Sequence, residues 1–181
     1  ENCGKSSGVF NPEKLLWPNH HYIKQSDPQR LAALINPFLK EHGIDAEGDK
    51  RLPEIVKTLR ERAKTLKEMA GQALFYFKET IEYEEKAHKK YLTPEALPLF
   101  ETLLQRLRGL NGFNEAMLQE LFNLVLAENG VALGKLAQPV RVALTGSTVS
   151  PGIFEMMAAM GRDLCLKRLE QAVSFISCNQ K

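Results

Sequence analysis

Asp27-Pro28-Gln29-Arg30-Leu31-Ala32-Ala33-Leu34-Ile35-Asn36-Pro37-Phe38-Leu39-Lys40-Glu41-His42-Gly43 reads as one amphipathic helix with both of its ends marked. Asp27 has an N-cap side chain, and Pro28 suits the first helical position, where the missing N–H is no loss. Leu31, Leu34, Phe38 and Leu39 then recur every three to four residues, and Gly43 supplies the stop. Pro37 is expected to bend the helix.

The same pattern extends in both directions, and nowhere does strand-like alternation sit between hairpin turns. Upstream, Asn11 and Pro12 start a helix through Leu15, Leu16 and Tyr22, which Pro18 should kink or split. Downstream, a helix from about Leu52 to Arg62 presents Ile55, Val56 and Leu59. Thr65 and Glu68 form a T-x-x-E capping box for the next helix, which holds Leu74, Phe75 and Phe77. Lys78 to Lys90 alternates in sign, as a solvated face or connector does, and a domain boundary falls near it. Beyond Thr93-Pro94-Glu95 come helices at roughly Pro94–Arg108, Glu115–Glu128 (capped by Asn114), Ala132–Leu144, Pro151–Met160 and Arg162–Ser177. Gly130, Gly146 and Gly161 are stops between them. The expected fold is all-α, with no fixed-length repeat that would suggest a solenoid.

With 181 residues, 44% hydrophobic and 25% charged, the chain can bury a real core as one large or two small domains. No run is apolar enough for a membrane span, and no basic-then-apolar leader is visible, so a cytoplasmic protein is expected. Cys3, Cys165 and Cys178 form no CxxC pair and read as reduced thiols. A net charge of +2 does not announce a nucleic-acid binder. Between Val131 and Arg168, Lys135, Arg141, Arg162, Lys167 and Arg168 face only Glu155 and Asp163, a bias that a solvated helix face would also produce.

One segment reads as a site. Gln138 to Phe154 carries Arg141 into a loop of hydroxyls, Gly and Pro, and Ser150-Pro151 looks like an N-cap followed by a first helical proline. That start would leave early backbone N–H groups facing outward, beside a cation and the apolar Ile153 and Phe154. Single-stranded RNA needs such a combination, because splayed bases are stacked on one side and hydrogen-bonded along their edges. A plain helix–helix corner with Phe154 in the core has the same sequence.

Other motifs fail on context. Gly4-Lys5-Ser6-Ser7 lacks the upstream glycine and the strand of a phosphate-binding loop. His20 and His21 diverge by about 100 degrees on a helix, and His42 and His88 add no i, i+4 partner, so surface or hydrogen-bonded histidines are expected rather than metal ligands. Glu82, Glu84 and Glu85 look solvated, and no nucleophile arrangement stands out.

Phe10-Asn11-Pro12-Glu13-Lys14-Leu15-Leu16-Trp17 followed by Asn19-His20-His21-Tyr22-Ile23 resembles the segment that follows the catalytic half of bacterial glutamyl-tRNA synthetases. Arg60-Glu61-Arg62-Ala63-Lys64-Thr65-Leu66-Lys67-Glu68 and Gln138–Phe154 agree with that family in order and spacing, and the resemblance runs on through Gly161-Arg162 and the closing helix. It implies a fragment without the class I catalytic domain. Residues 1–26 would be the tail of the linker or stem-contact region, 27–92 a first helical anticodon-binding subdomain and 93–181 a second. The parent would be a glutamate-tRNA ligase using ATP and Mg, with no cofactor in this part. Its partner would be tRNA(Glu), without DNA or membrane, and it would act as a monomer.

Residue by residue, the resemblance makes Arg62 the reader of the third anticodon base, a task that suits a planar fork able to pair bidentately and stack. Arg141, Ser150, Pro151, Ile153 and Phe154 match the positions holding the first two bases. Arg60, Lys64 and Lys135 are expected backbone contacts. Ser150 and Ile153 stand where the family often has Thr and Leu, Asn123 where some relatives carry an arginine, and Pro18 where an apolar residue is usual. The alternative is a helical protein-interaction or scaffold module without sequence-specific RNA binding.

Overall fold

The computed structural model describes residues 12–179. Its elements are α1 (Pro12–Gln25), α2 (Pro28–Lys40), α3 (Leu52–Leu59), α4 (Leu66–Ala73) and a 3-10 turn (Leu74–Tyr76). They continue with α5 (Glu85–Tyr91), a second 3-10 turn (Pro94–Ala96), α6 (Leu97–Arg108), α7 (Glu115–Asn129), α8 (Leu133–Thr145), α9 (Ile153–Met160) and α10 (Arg162–Cys178). The all-α expectation holds: there is no strand among the described residues.

The helix ends follow local chemistry. The Asp27 carboxylate accepts from the N–H groups of Gln29 and Arg30, and the Asn114 side chain accepts from Met117 N–H at 3.0 Å. Gly130 and Gly146 end α7 and α8 in the left-handed region. Three expectations are corrected. Pro18 does not split α1, which runs through it as one helix. In α2 the buried side chains are Leu31, Ala32, Ile35 and Leu39, while Leu34 is exposed, so the stripe lies one residue around from the one expected. At α4 the Thr65 hydroxyl accepts from Glu68 N–H as expected. The Glu68 carboxylate, however, reaches back to Lys64 N–H at 2.8 Å instead of to Thr65.

Packing sorts the helices into two neighbouring sets. α2 lies against α3 and α4; α10 lies against α6, α8 and α9, and α7 against α6 and α9. α3 also packs on α9, which joins the sets, and the buried core runs without a break from Ile23 to Ile176.

Two further ties fasten the connector between the first 3-10 turn and α5 to the second set. Gly146 N–H ends α8 on the Val142 carbonyl, while the Gly146 carbonyl accepts from Glu84 N–H at 2.9 Å. Here Gly146 has φ +79, and a Cβ would be driven into the Glu82 carbonyl, so only glycine lets the connector lie so close. Lys167 of α10 meets Glu79 at 2.6 Å.

Candidate nucleic-acid interface

Arg62 does not end α3, as the periodicity suggested. That helix stops at Leu59, and Arg62 lies in the turn after it, held by Arg62 N–H to the Leu59 carbonyl at 2.9 Å. The turn is fastened from behind by α1: Asn19 Nδ2 donates to the Lys64 carbonyl, and His20 Nδ1 lies 2.9 Å from the Ala63 carbonyl. His20 is thereby a hydrogen-bonded structural histidine. Lys24 of the same helix pairs with Glu61 at 2.5 Å. Backbone ties on both sides hold the turn that carries the exposed Arg62 side chain.

Arg141 sits on α8, three residues before the Leu144 that precedes the helix's last residue. Its Nη1 donates to the Pro151 carbonyl at 2.7 Å, to the Ser150 carbonyl at 3.1 Å and to Ser150 Oγ. Burial, and secondarily the like charge of Arg62, hold its pKa below the usual guanidinium value.

The Ser150-Pro151 start is corrected. α9 begins at Ile153, with Gly152 in the N-cap position. Ser150 cannot cap it, because its hydroxyl donates to the Pro151 carbonyl at 2.9 Å and takes a bond from Arg141. The Glu155 carboxylate accepts from Gly152 N–H at 2.6 Å, so that donor is already satisfied by the chain's own carboxylate and does not face outward. Ile153 is buried in the core. Phe154 is half-buried, with its ring edge-on to Phe122 at 5.1 Å, which places the expected apolar shelf mostly inside.

Between the Arg62 turn and the Ser150 corner runs a groove of about 890 Å³. Leu59, Leu74, Phe75 and Ile81 form its apolar wall, and Thr145, Ser147, Val149, Ser150 and Pro151 the facing one; Arg62, Gln72, Lys78, Glu79 and Glu82 add polar and charged groups. The volume lies high in the range of about 300–1,000 Å³ for sites that hold a drug-sized molecule, and the walls offer both stacking surface and edge partners. The structure thus brings Arg62, Ser150 and Pro151 to one groove with Arg141 behind its corner. Arg60, half-buried at the end of α3, and the exposed Lys64 and Lys135 are not among its lining residues.

A family model described as "Anticodon binding domain" matches residues 30–173. The chain belongs to the anticodon-binding domain family. It is 49% identical over 176 residues to a glutamate–tRNA ligase of Geobacter sulfurreducens, which takes in 97% of this chain and 38% of that protein. A glutamate–tRNA ligase of Syntrophobacter fumaroxidans is 46% identical over the same shares. The chain therefore spans less than half the length of the curated relatives it matches. Among solved structures, a glutamate tRNA ligase from Elizabethkingia meningosepticum superposes with a TM-score of 0.84 at 24% identity, covering 92% of this chain and 33% of that one. The likeness shows the fold. The anticodon-binding assignment agrees with the resemblance carried by the three sequence blocks.

Within this anticodon-binding domain, two features escaped the sequence reading. One is the Gly146–Glu82 approach, which no local pattern announces. The other is Arg168, counted above in a basic bias that a solvated face would explain. It is fully buried: Nη1 donates to the Leu144 carbonyl, and Nη2 to the carbonyls of Phe75 and Lys78. Its signal was legible. Cys165, Leu169, Ala172 and Ile176 mark the inner face of α10, and Arg168 lies on that face. Arg162 is likewise engaged, donating to the Gly112 carbonyl at 2.7 Å and lying over the Phe113 ring. No group of three or more His, Cys, Asp or Glu able to hold a metal occurs among the described residues, and no described helix is long and apolar enough to cross a membrane.

Proposed function

We propose that the chain is the anticodon-reading part of a longer glutamate–tRNA ligase, and that it binds the anticodon loop of tRNA(Glu) in the groove between the Arg62 turn and the Ser150 corner. The observation that carries this reading is the convergence of Arg62 and the Ser150–Pro151 corner, which Arg141 fastens from behind, on one groove in an anticodon-binding domain. Arg62 presents its fork to the edge of the third base. Arg141 fastens Ser150 and Pro151, which line the groove where the first two bases lie, with Phe154 and Ile153 supporting the corner from within. Arg60, Lys64 and Lys135 are solvent-side cations suited to phosphates, which fix register without reading sequence.

In this reading residues 1–26 are the tail of a stem-contact region, and 27–92 and 93–181 are two subdomains flanking the groove. The protein works as a monomer. ATP and Mg serve the parent's activation of glutamate, and this part needs no cofactor of its own.

The test is binding of tRNA(Glu) at fixed ionic strength. Arg62→Ala and Arg141→Ala should each weaken binding by about 1–3 kcal/mol, and Arg62→Ala should relax selectivity at one anticodon position. Unchanged affinity in both variants would remove the site. Binding that ignores sequence and vanishes by moderate salt would instead favour the scaffold reading.

A further inference from the structure

We propose that Arg168 is the positioning residue of the groove, a buried clamp that spans both walls and sets the separation at which Arg62 and the Arg141 corner face an anticodon base. The inference rests on the reading above, in which the groove holds the anticodon loop.

Arg168 reaches three backbone carbonyls from the inner face of α10. Those of Phe75 and Lys78 belong to the wall that carries Leu74, Phe75 and Lys78; that of Leu144 lies in the last turn of α8, one residue before the Thr145–Pro151 wall begins. All three lie at or just beyond C-terminal ends of helical segments, where unsatisfied carbonyls concentrate partial negative charge. No carboxylate neutralises the guanidinium among the described residues. The carbonyl oxygens hold it, and burial lowers its pKa to about 10, so it stays charged at ordinary pH.

This is a costly way to fill a core position. The Arg168 Nε is buried without a partner, and the neighbouring inner positions hold the uncharged Cys165, Leu169 and Ala172. What an apolar residue cannot do is hold two separate backbone segments at one distance. A planar fork can, because its two Nη groups point to different walls in a fixed geometry. Base reading is sensitive to that distance, since an arginine fork misplaced by about an ångström loses bidentate geometry while phosphate contacts adapt.

The experiment compares Arg168→Met and Arg168→Lys with the unmodified 181-residue chain. Each is measured for melting temperature and for affinity toward a tRNA(Glu) transcript and the same transcript with one anticodon base changed. Arg168→Met should lose roughly tenfold in discrimination between the transcripts while the salt dependence of binding, which counts phosphate contacts, stays as it was. Arg168→Lys should recover melting temperature more than discrimination, because one ammonium cannot span three carbonyls. A purely structural role predicts instead that discrimination tracks melting temperature through both variants, and that result overturns the proposal.

Full discrimination in Arg168→Met also overturns it and leaves the anticodon reading intact, whereas no discrimination in the unmodified chain fails the anticodon reading itself. Two RNA-free readouts bear on the clamp alone. Amide hydrogen exchange over 78–82 and 145–151 should quicken together in Arg168→Lys, and the Arg168 guanidinium protons of the unmodified chain should give separate, slowly exchanging NMR signals. Unchanged exchange, or fast-averaged signals, counts against it even if Arg168→Met fails to fold.

Discussion

Arg141 shows how a candidate site residue can be legible while its geometry is not. Its place before a Thr-Gly-Ser loop marked it as a cation at a corner, but three bonds from one nitrogen to Ser150 and Pro151 depend on where α9 begins, and that is a tertiary fact. Arg168 is the reverse case, since its position on the apolar face of α10 was visible and its three carbonyl partners, 24, 90 and 93 residues away, were not. Gly146 makes the sharpest single-residue prediction. Gly146→Ala forces an L side chain to φ +79, which alone costs about 1–2 kcal/mol, and drives a methyl into the Glu82 backbone. The melting temperature should fall by roughly 2–4 °C per kcal/mol, and an unchanged melt would contradict the close approach. Burial also raises the Cys165 thiol to about 12, so at pH 8 it stays protonated and should resist alkylation that takes the exposed Cys178, as peptide mapping would show. Because the folded value lies above the unfolded one, this thiol's contribution to stability is complete below about pH 9 and is lost as pH rises toward 12.

At the level of helices, the apolar spacing located most elements within a few residues, because each buries a face against neighbours that ask only for periodicity. It missed α5, whose run reads as a solvated face or connector, and carried α4 too far, since that helix stops at Ala73 and Leu74–Tyr76 tighten into a 3-10 turn. The starts and stops were legible where the cap is local, as at Asp27, Asn114, Gly130 and Gly146. They failed where a distant group intervenes: Ser150 is drawn away by Arg141, and Glu155 then caps Gly152. α4 supplies the test at this scale. Thr65→Ala removes the hydroxyl that accepts from Glu68 N–H and should cost about 1 kcal/mol, read as a lower midpoint in urea with an unchanged slope. The same change loosens the segment after Arg62, since Glu68 holds Lys64 N–H beside it.

Across the whole molecule, the joint between the two helical sets was the part hardest to read. The sign-alternating run Lys78–Lys90 holds the short, mostly exposed α5, and it carried no hint that α3 would pack on α9 or that the core would continue through. A core without a break predicts one cooperative transition. Calorimetry should give a van't Hoff enthalpy equal to the measured one, and two separable transitions would show the sets to be independent.

One architectural detail also limits how far the chain can be trimmed. Because Asn19 and His20 grip the carbonyls beside Arg62 and Lys24 pairs with Glu61, α1 works as a splint on the very loop that carries the arginine. If the groove reads an anticodon as proposed, a miniaturised sensor beginning at α2 would keep the groove's cations and still adhere to RNA, yet its pointer would swing, and fidelity would be surrendered well before adhesion.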